Sequence, residues 1–387
     1  MTEREFDVLV FGASGYTGRL VANYLLNTYG VGKDVRWGIA GRNADKLAEI
    51  RDEIGAPIAL PIVLADSGNK DELVVMARRT KTLITTAGPY QYYGDLVVEA
   101  CAEEGTDYVD LAGESNWIAD KTAALEEAAR KSGARLVFSC GFDSIPFDLG
   151  VFYTQEEAKK KLGRYLPRVR GRVRDMKGGL SGGTAASGQA TMEAAQKDPS
   201  VITKLMNPYA ITPGQEGPTQ PDLNTAYYDD VVENWVAPFM MAAINTKAVH
   251  RSNFLLGQPW GKDFIYDEML MVDDDPAKGG TAADFDMSHP PKPGEGPTQQ
   301  EREEGFYDVI FIGEDENGKQ IQTCVKGDMD PGYGSTSKML AESALCLAKD
   351  ISRERTPGGA YSTAPAMGPE LIKRLTENAG LRFEVEA

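Results

Sequence analysis

The sequence predicts an α/β chain: a doubly wound parallel sheet at the amino end, followed by a second, α+β domain. Three observations carry this. Six apolar runs alternate with amphipathic stretches between Phe6 and Gly141, a glycine-rich turn joins the first run to the first stretch, and the rhythm changes after Gly150. The runs FDVLVFG, VRWGIAG, APIALPIVLA, KTLITTAG, TDYVDLAG and ARLVFSCG are rich in Val, Ile and Leu and mostly closed by Gly. That is the pattern of strands covered on both faces. Helices are predicted over Tyr16–Tyr29, Ala44–Ile54, Lys70–Arg79, Leu96–Glu104 and Ile118–Ser132. Strand and helix in alternation imply right-handed βαβ units.

Beyond Gly150 a lysine-rich helix (Gln155–Leu162) leads into a strand, PRVRGRVR, and SGGTAASG opens a further helix. Residues 207–225 and 274–300 are rich in Pro, Gly and polar residues and read as long loops. Between them the apolar segment Val231–Val249 reads as a buried helix. The runs GFYDVIFIGED and KQIQTCVKGDM flank ENG, a hairpin signal. A helix over Ser335–Asp350 and a short one at 369–378 close the chain.

Composition removes several classes of function. The chain has 387 residues and a net charge of −17, which repels a phosphate backbone and argues against nucleic acid as a partner. Two histidines, His250 and His289, make a zinc site an unpromising reading, and four scattered cysteines suit reduced thiols better than disulfides. No apolar run is long enough to span a bilayer, and MTEREFDVLVFG leaves no room for a signal peptide. A cytoplasmic protein is expected.

The turn after the first run is Gly12-Ala13-Ser14-Gly15-Tyr16-Thr17-Gly18. A glycine-rich turn between strand and helix lets backbone N–H groups approach a pyrophosphate at the positive helix end. Gly12 would make the tight turn, Gly15 the close approach and Gly18 the helix–sheet contact, in a Rossmann-type dinucleotide domain. The second strand ends Ala40-Gly41-Arg42-Asn43, without the acid that holds a ribose 2′-OH. A guanidinium there suits a 2′-phosphate, so NADP is the expected cofactor; a solvated helix-start residue is the plainer reading. Asp66, closing the third run, is a candidate adenine contact or a helix N-cap. Thr86, Ala87, Gly88, Pro89 and Tyr90 follow the fourth run, and their small residues let the chain pass beneath a dinucleotide. The chain divides accordingly into 1–150, the NADP-binding Rossmann domain; 151–330, an α+β substrate or dimerisation domain; and 331–387, a helix and tail packing back on the first.

GASGYTG, AGRN, AGPYQYYG, ACAEEGTDYVDLAGE and CGFDSIPFDLG together resemble the saccharopine dehydrogenase/reductase-like family. SGGTAASG, WVAPFMMAAIN, VHRSNFLLG, DPGYGSTSKMLAESALCLA and GGAYSTAPAMG are similar to its trans-acting enoyl reductase branch. The resemblance spans nearly the whole chain, apart from the loops near 207–225 and 274–300. It implies an NADP-dependent oxidoreductase. The branch name implies reduction of a double bond on a polyketide or lipid chain held by a partner synthase, whereas saccharopine enzymes reduce an imine of lysine.

A hydride transfer needs from the protein mainly orientation and a proton donor or polariser. The Tyr-x-x-x-Lys pair of short-chain reductases is excluded by this reading; Tyr153 has Glu157 at that spacing and Tyr333 has Ser337. Candidates are Tyr90 and Tyr93 after strand four, and Asp143 and Ser144 in the turn Gly141-Phe142-Asp143-Ser144-Ile145-Pro146. Gly141, Phe142 and Asp143 are expected beside the cofactor. Asp143 serves equally well as catalyst or as N-cap of the Pro146 helix, and Tyr90 as an acid or a ring packed over the cofactor. Glu114 reads as a first-turn helix acid. Residues 151–180 carry nine basic and three acidic side chains. Arg170, Arg172 and Arg174 share one strand face, either solvated or an anion site for CoA, phosphopantetheine or an acidic lipid head group. Three functions stay open. The first is an NADPH-dependent reductase of an unsaturated or oxo group on an acyl, polyketide or lipid-like substrate, free or carrier-bound. The others are a saccharopine-type imine reductase and a non-catalytic NADP-bound scaffold at a lipid surface or synthase. A homodimer and peripheral membrane association are compatible with each.

Overall fold

The computed structural model describes residues 3–179, 181–275, 292 and 294–386. Seven parallel strands form the first sheet: β1 (Phe6–Phe11), β2 (Trp37–Gly41), β3 (Ile62–Leu64), β4 (Thr80–Thr85), β5 (Asp107–Val109), β6 (Arg135–Val137) and β13 (Gly359–Tyr361). Their order is β13-β6-β5-β4-β1-β2-β3. Val8 of β1 pairs with Trp37 on one side and Thr82 on the other. The chain therefore reverses direction across the sheet at β1, and a crevice opens at the carboxyl ends of β1 and β4. Every residue of β1 and β2 is buried. Helices cover both faces: α1 (Tyr16–Tyr29), α2 (Ala44–Glu53), α3 (Lys70–Arg79), α4 (Tyr90–Tyr93), α5 (Asp95–Glu104) and α6 (Ser115–Ser132), joined by α12 (Thr336–Leu345), which returns late in the chain to pack on α1, β4 and β5. Asn43 and Asn69 cap α2 and α3 through backbone N–H groups of Lys46 and Glu72.

The second sheet is mixed, in the order β14-β12-β11-β7-β10-β9-β8. It comprises β7 (Arg168–Lys177), β8 (Tyr227–Asp229), β9 (Asn234–Pro238), β10 (Ile265–Val272), β11 (Phe306–Glu314), β12 (Gln320–Gly327) and β14 (Leu381–Glu386). The expected hairpin is present as β11 and β12. The remaining helices are α7 (Ile145–Leu162), which packs on β11 and β12, α8 (Gly182–Lys197), α9 (Ser200–Met206), α10 (Ala242–Leu255) and α13 (Thr363–Asn378), with the short α11 at Gln299–Glu303. α7 runs unbroken through Gly150 and carries the chain from one sheet to the other.

Three expectations require correction. The segment Val231–Val249 is not one helix: Asn234–Pro238 is strand β9, and α10 begins only at Ala242. Pro238 closes the strand because its ring and missing N–H end the ladder. The closing helix is longer than 369–378, starting at Thr363 and bending at Gly368. β8, β10, β13 and β14 were not expected at all. Residues 207–225 do form an irregular connection, whereas most of the loop expected at 274–300 lies outside the described residues.

Candidate active site

The glycine turn is shaped by contacts that only glycine tolerates. Gly12 has φ +85°, and a Cβ there would stand 2.9 Å from Thr86 Oγ1. A Cβ on Gly18 would lie 2.3 Å from the Gly12 carbonyl oxygen, so α1 presses directly on the turn. Gly15 differs. It is the exposed N-cap of α1, and its added Cβ would meet only the Gly12 oxygen, at 3.3 Å. The space before Gly15 is thus open, at the positive end of a helix, which suits a pyrophosphate. Ala13 is buried beneath the turn, Ser14 is exposed beside it, and Thr17 is half-buried. Thr86 stitches the neighbouring loop to the turn by donating to Gly12 O at 3.1 Å.

At the end of β2, Arg42 is exposed and, among the described residues, makes no hydrogen bond or ion pair. An unpaired guanidinium at the strand end, with Gly41 before it and the Asn43 cap after it, fits a 2′-phosphate. Asp66 does not cap α3. Its Oδ1 accepts from Gly68 N at 2.8 Å, within the turn ahead of the Asn69 cap.

Ala87, Gly88 and Pro89 line the crevice, with Gly88 exposed. Tyr90 turns away from it. Its ring is buried against Trp117, 5.6 Å between centroids, and its hydroxyl donates to Thr85 O at 3.0 Å and accepts from Leu111 N at 3.1 Å. Burial raises its phenol well above the usual range. Tyr93 is exposed on α4. Glu114 is no first-turn acid: it accepts from Tyr90 N and Gly113 N, both at 3.0 Å, and braces the two loops.

The loop after β6 holds Asp143. Gly141 is enclosed by Leu111 and Thr336, and Phe142 packs into the core against Phe147 and Tyr307, with its N–H given to Thr336 Oγ1 at 2.9 Å. These two shape the loop rather than face a ligand. The N-cap of α7 is Ser144, not Asp143, and neither side chain caps the helix. Asp143 Oδ1 is buried and accepts no hydrogen bond. Burial alone pushes this carboxyl up to about 7. Other buried carboxylates in the same half are bound: Asp110 by Ala112 N, Ser139 N and the Tyr108 hydroxyl, and Asp148 by Ser252, Thr363 and Ala364. Asp143 is the exception among them, at the carboxyl edge of the sheet.

Residues 8–137 match the saccharopine dehydrogenase NADP-binding domain family. A Mycobacterium tuberculosis relative, whose name assigns it provisionally to the trans-acting enoyl reductases, is 36% identical over 406 residues, covering 97% of this chain and 96% of its own. A trans-acting enoyl reductase of Mycobacterium ulcerans is 32% identical over 409 residues, with 97% and 96% covered. The chain belongs to the saccharopine dehydrogenase-like family, in the trans-acting enoyl reductase branch. It is accordingly an NADP-dependent oxidoreductase. The fold is also that of the yeast saccharopine dehydrogenase (L-Glu forming), at a TM-score of 0.56 and 13% identity over 99% of this chain and all of that one. Among the described residues, no helix is long and apolar enough to cross a membrane.

Within this saccharopine dehydrogenase-like chain, three further observations bear on the site. The arginines of the basic island are paired internally, while Lys159, Lys160 and Lys161 are exposed on α7. Arg164 pairs with Asp315, Arg168 with Asp267, Arg170 with Glu314, Arg172 with Asp229 and Asp267, and Arg174 with Asp308 and Glu386. Those arginines are engaged by cross-strand acids, and the anion-site reading fails. One tyrosine does meet the Tyr-x-x-x-Lys spacing, contrary to expectation: Tyr29 with Lys33. It ends α1, about 20 Å from the glycine turn by helix rise, and its hydroxyl donates to Glu342 at 2.6 Å. Finally, residues 181–184 and 294–302 approach the turn from the second half. Tyr16 donates to Pro297 O and accepts from Arg302 at 2.9 Å, and its ring meets Tyr333 edge-on at 5.2 Å. Tyr333 in turn accepts from Ser181 N at 2.6 Å. Arg302 lies in no motif of the sequence, and Tyr333, although within DPGYGSTSK, is not read from the sequence as a site residue.

Proposed function

We propose that this oxidoreductase reduces an unsaturated or oxo group on an acyl, polyketide or other lipid-like chain, presented by a partner synthase, with Asp143 as proton donor. The observation that carries the reading is the half-buried Asp143 carboxyl at the carboxyl edge of β6, whose Oδ1 is buried without a hydrogen-bond partner among the described residues and which is raised to about 7. The glycine turn and Arg42 hold the pyrophosphate and 2′-phosphate of NADPH, which when bound supplies the hydride. Reduction of a carbon–carbon double bond then needs one proton, delivered to the carbon α to the carbonyl. A carboxyl that is neutral up to about pH 7 can give that proton and be recharged from water. Tyr90 acts as a post between the β4 and β5 loops, since both hydrogen-bonding positions of its hydroxyl are filled. The names of the mycobacterial relatives support an enoyl substrate. A dicarboxylic amino-acid substrate would want free buried arginines, and those of β7 are spent in ion pairs.

The test is NADPH oxidation by the purified chain against enoyl thioesters, oxo-lipids and lysine-derived imines. Turnover is expected with enoyl or oxo substrates. Turnover with the imine alone, or with none, overturns the reading.

A further inference from the structure

On β10, Tyr266 and Glu268 share a face by strand alternation, and both are fully buried. Gly171 stands opposite Glu268 in the parallel register of β7. Its missing side chain makes room for them: a Cβ there would lie 2.9 Å from the Tyr266 hydroxyl and 3.2 Å from Glu268 Cγ. Across from them, Asn245 of α10, also fully buried, donates to Glu268 Oε2 at 3.0 Å. Among the described residues, Glu268 Oε1, Asn245 Oδ1 and the Tyr266 hydroxyl have no hydrogen bond of good geometry; Tyr266 and Glu268 face each other closely enough to interact, and Asn245 Oδ1 has no such neighbour. Each orphaned buried polar group is disfavoured, and three together in one apolar interior mark a place arranged for something that completes them.

The place is next to the candidate active site. The first turn of α10 touches the loop after β5, with Ile244 Cδ1 3.2 Å from where a Gly113 side chain would begin. Burial pushes the Glu268 carboxyl well up, and Asp143, once ionised, lies near enough to push it further. A neutral carboxyl with Oε2 occupied by Asn245 offers an O–H at Oε1. The Tyr266 phenol offers a second donor, and Asn245 Oδ1 an acceptor. A carbonyl oxygen would answer only the donors. A hydroxyl answers donors and acceptor together.

We propose that Glu268, Asn245 and Tyr266 form a subsite that recognises a neutral hydroxyl group on the substrate's acyl chain. This rests on the acyl-substrate reading above and adds a specificity determinant to it. The test is calorimetric titration of the full chain, loaded with NADP⁺, with two thioesters of N-acetylcysteamine: a β-hydroxyacyl chain and the matching saturated chain. The hydroxylated probe is expected to bind about tenfold more tightly. Glu268→Gln, a neutral isostere, should keep that preference, and Glu268→Leu and Asn245→Leu should abolish it, with NADPH affinity unchanged. Equal binding of the two probes by the unaltered chain, no binding of either, or a preference that survives Glu268→Leu overturns the proposal. The unaltered chain decides this even if a variant fails to fold. Because the readout is binding, absence of enoyl turnover with the probe preference intact would sink the reductase reading alone. Turnover without the preference would sink the subsite alone.

Discussion

A carboxyl oxygen taken out of water without a hydrogen-bond donor to replace the lost hydration favours the neutral acid, and Asp143 Oδ1 is such an atom among the described residues. Its folded pKa, about 7, lies above the unfolded value of roughly 4. The stability it contributes is therefore fully present at acid pH and is lost as pH rises through about 7, because ionisation in the folded state is disfavoured. Asp143→Asn cannot ionise. It should be more stable than the native chain above pH 7 and nearly equal only below about pH 4, where both states of the native chain are protonated, by thermal unfolding at both. If Asp143 gives the proton, native kcat should also fall above about pH 7, and the variant should be slow with no such limb. A residue acting as a helix cap would behave oppositely, with stability lost and turnover kept. Arg42 makes no ion pair among the described residues, so its substitution tests cofactor choice cleanly. Arg42→Ala should weaken NADPH about ten- to a hundredfold and leave NADH nearly unchanged, read by titration. Gly15→Val should abolish NADPH binding in a chain that stays folded, because its side chain would fill open space at the helix end. Gly18→Val should instead destabilise the fold, since even a Cβ would collide with Gly12 O. Normal NADPH affinity in the Gly15 variant would show the turn to be only structural.

Six strands of the first sheet were readable because most of their residues are covered on both faces and so form apolar runs. The glycine turn, Arg42 and the Asp143 loop were found for a related reason, since each sits where such a strand ends. What escaped lacks that signal. Gly359–Tyr361 is three residues long and is a strand only because it lies against β6. Leu381–Glu386 alternates charge with apolar residues on a sheet edge, and Val231–Val249 is apolar throughout, which hides the turn between β9 and α10. Glu268 is one acid in an ordinary-looking strand; only its packing against Asn245 and the Gly171 gap sets it apart. The arginines of β7 were placed correctly on one face, but alternation cannot say what that face meets. It meets acids, and Arg172 is completely buried between Asp229 and Asp267. Removing one partner of a buried ion pair strands the other, at about 3–5 kcal/mol. Arg172→Leu should therefore lower chain stability by about that much in denaturant unfolding while NADPH affinity in the surviving folded fraction holds. Little change in stability would mean that Asp229 and Asp267 find other partners or protonate readily.

At the scale of the whole molecule, the two halves are tied by the last thirty or so residues, which visit both sheets in turn. β13 lies against β6 and extends the first sheet, α13 packs on α7 and α12, and β14 then pairs with β12 along the edge of the second. Arg251 of α10 reaches Ala360 O in β13, and Asp148 of α7 is bound by Ser252 of α10 and Thr363 of α13, so this segment is where α7, α10 and both sheets converge. Two truncations should then behave differently. Ending the chain at Gly380 removes β14 alone. That takes away six paired positions and the Glu386 partner of Arg174, and leaves the edge of β12 unpaired. The glycine turn and the first sheet remain whole. The expected product binds NADPH with unaltered affinity but melts earlier and aggregates more readily, because an open strand edge invites pairing with another chain. Ending it at Thr356 also removes β13 and α13. Arg251, Asp148 and the apolar faces of α7 and α12 then lose their partners inside the core, and no soluble, NADPH-binding protein is expected. Fluorescence titration with NADPH and thermal unfolding read both constructions. A chain ending at Thr356 that still binds NADPH with a cooperative melt would show that the first sheet stands without its seventh strand. The halves would then be joined by α7 alone.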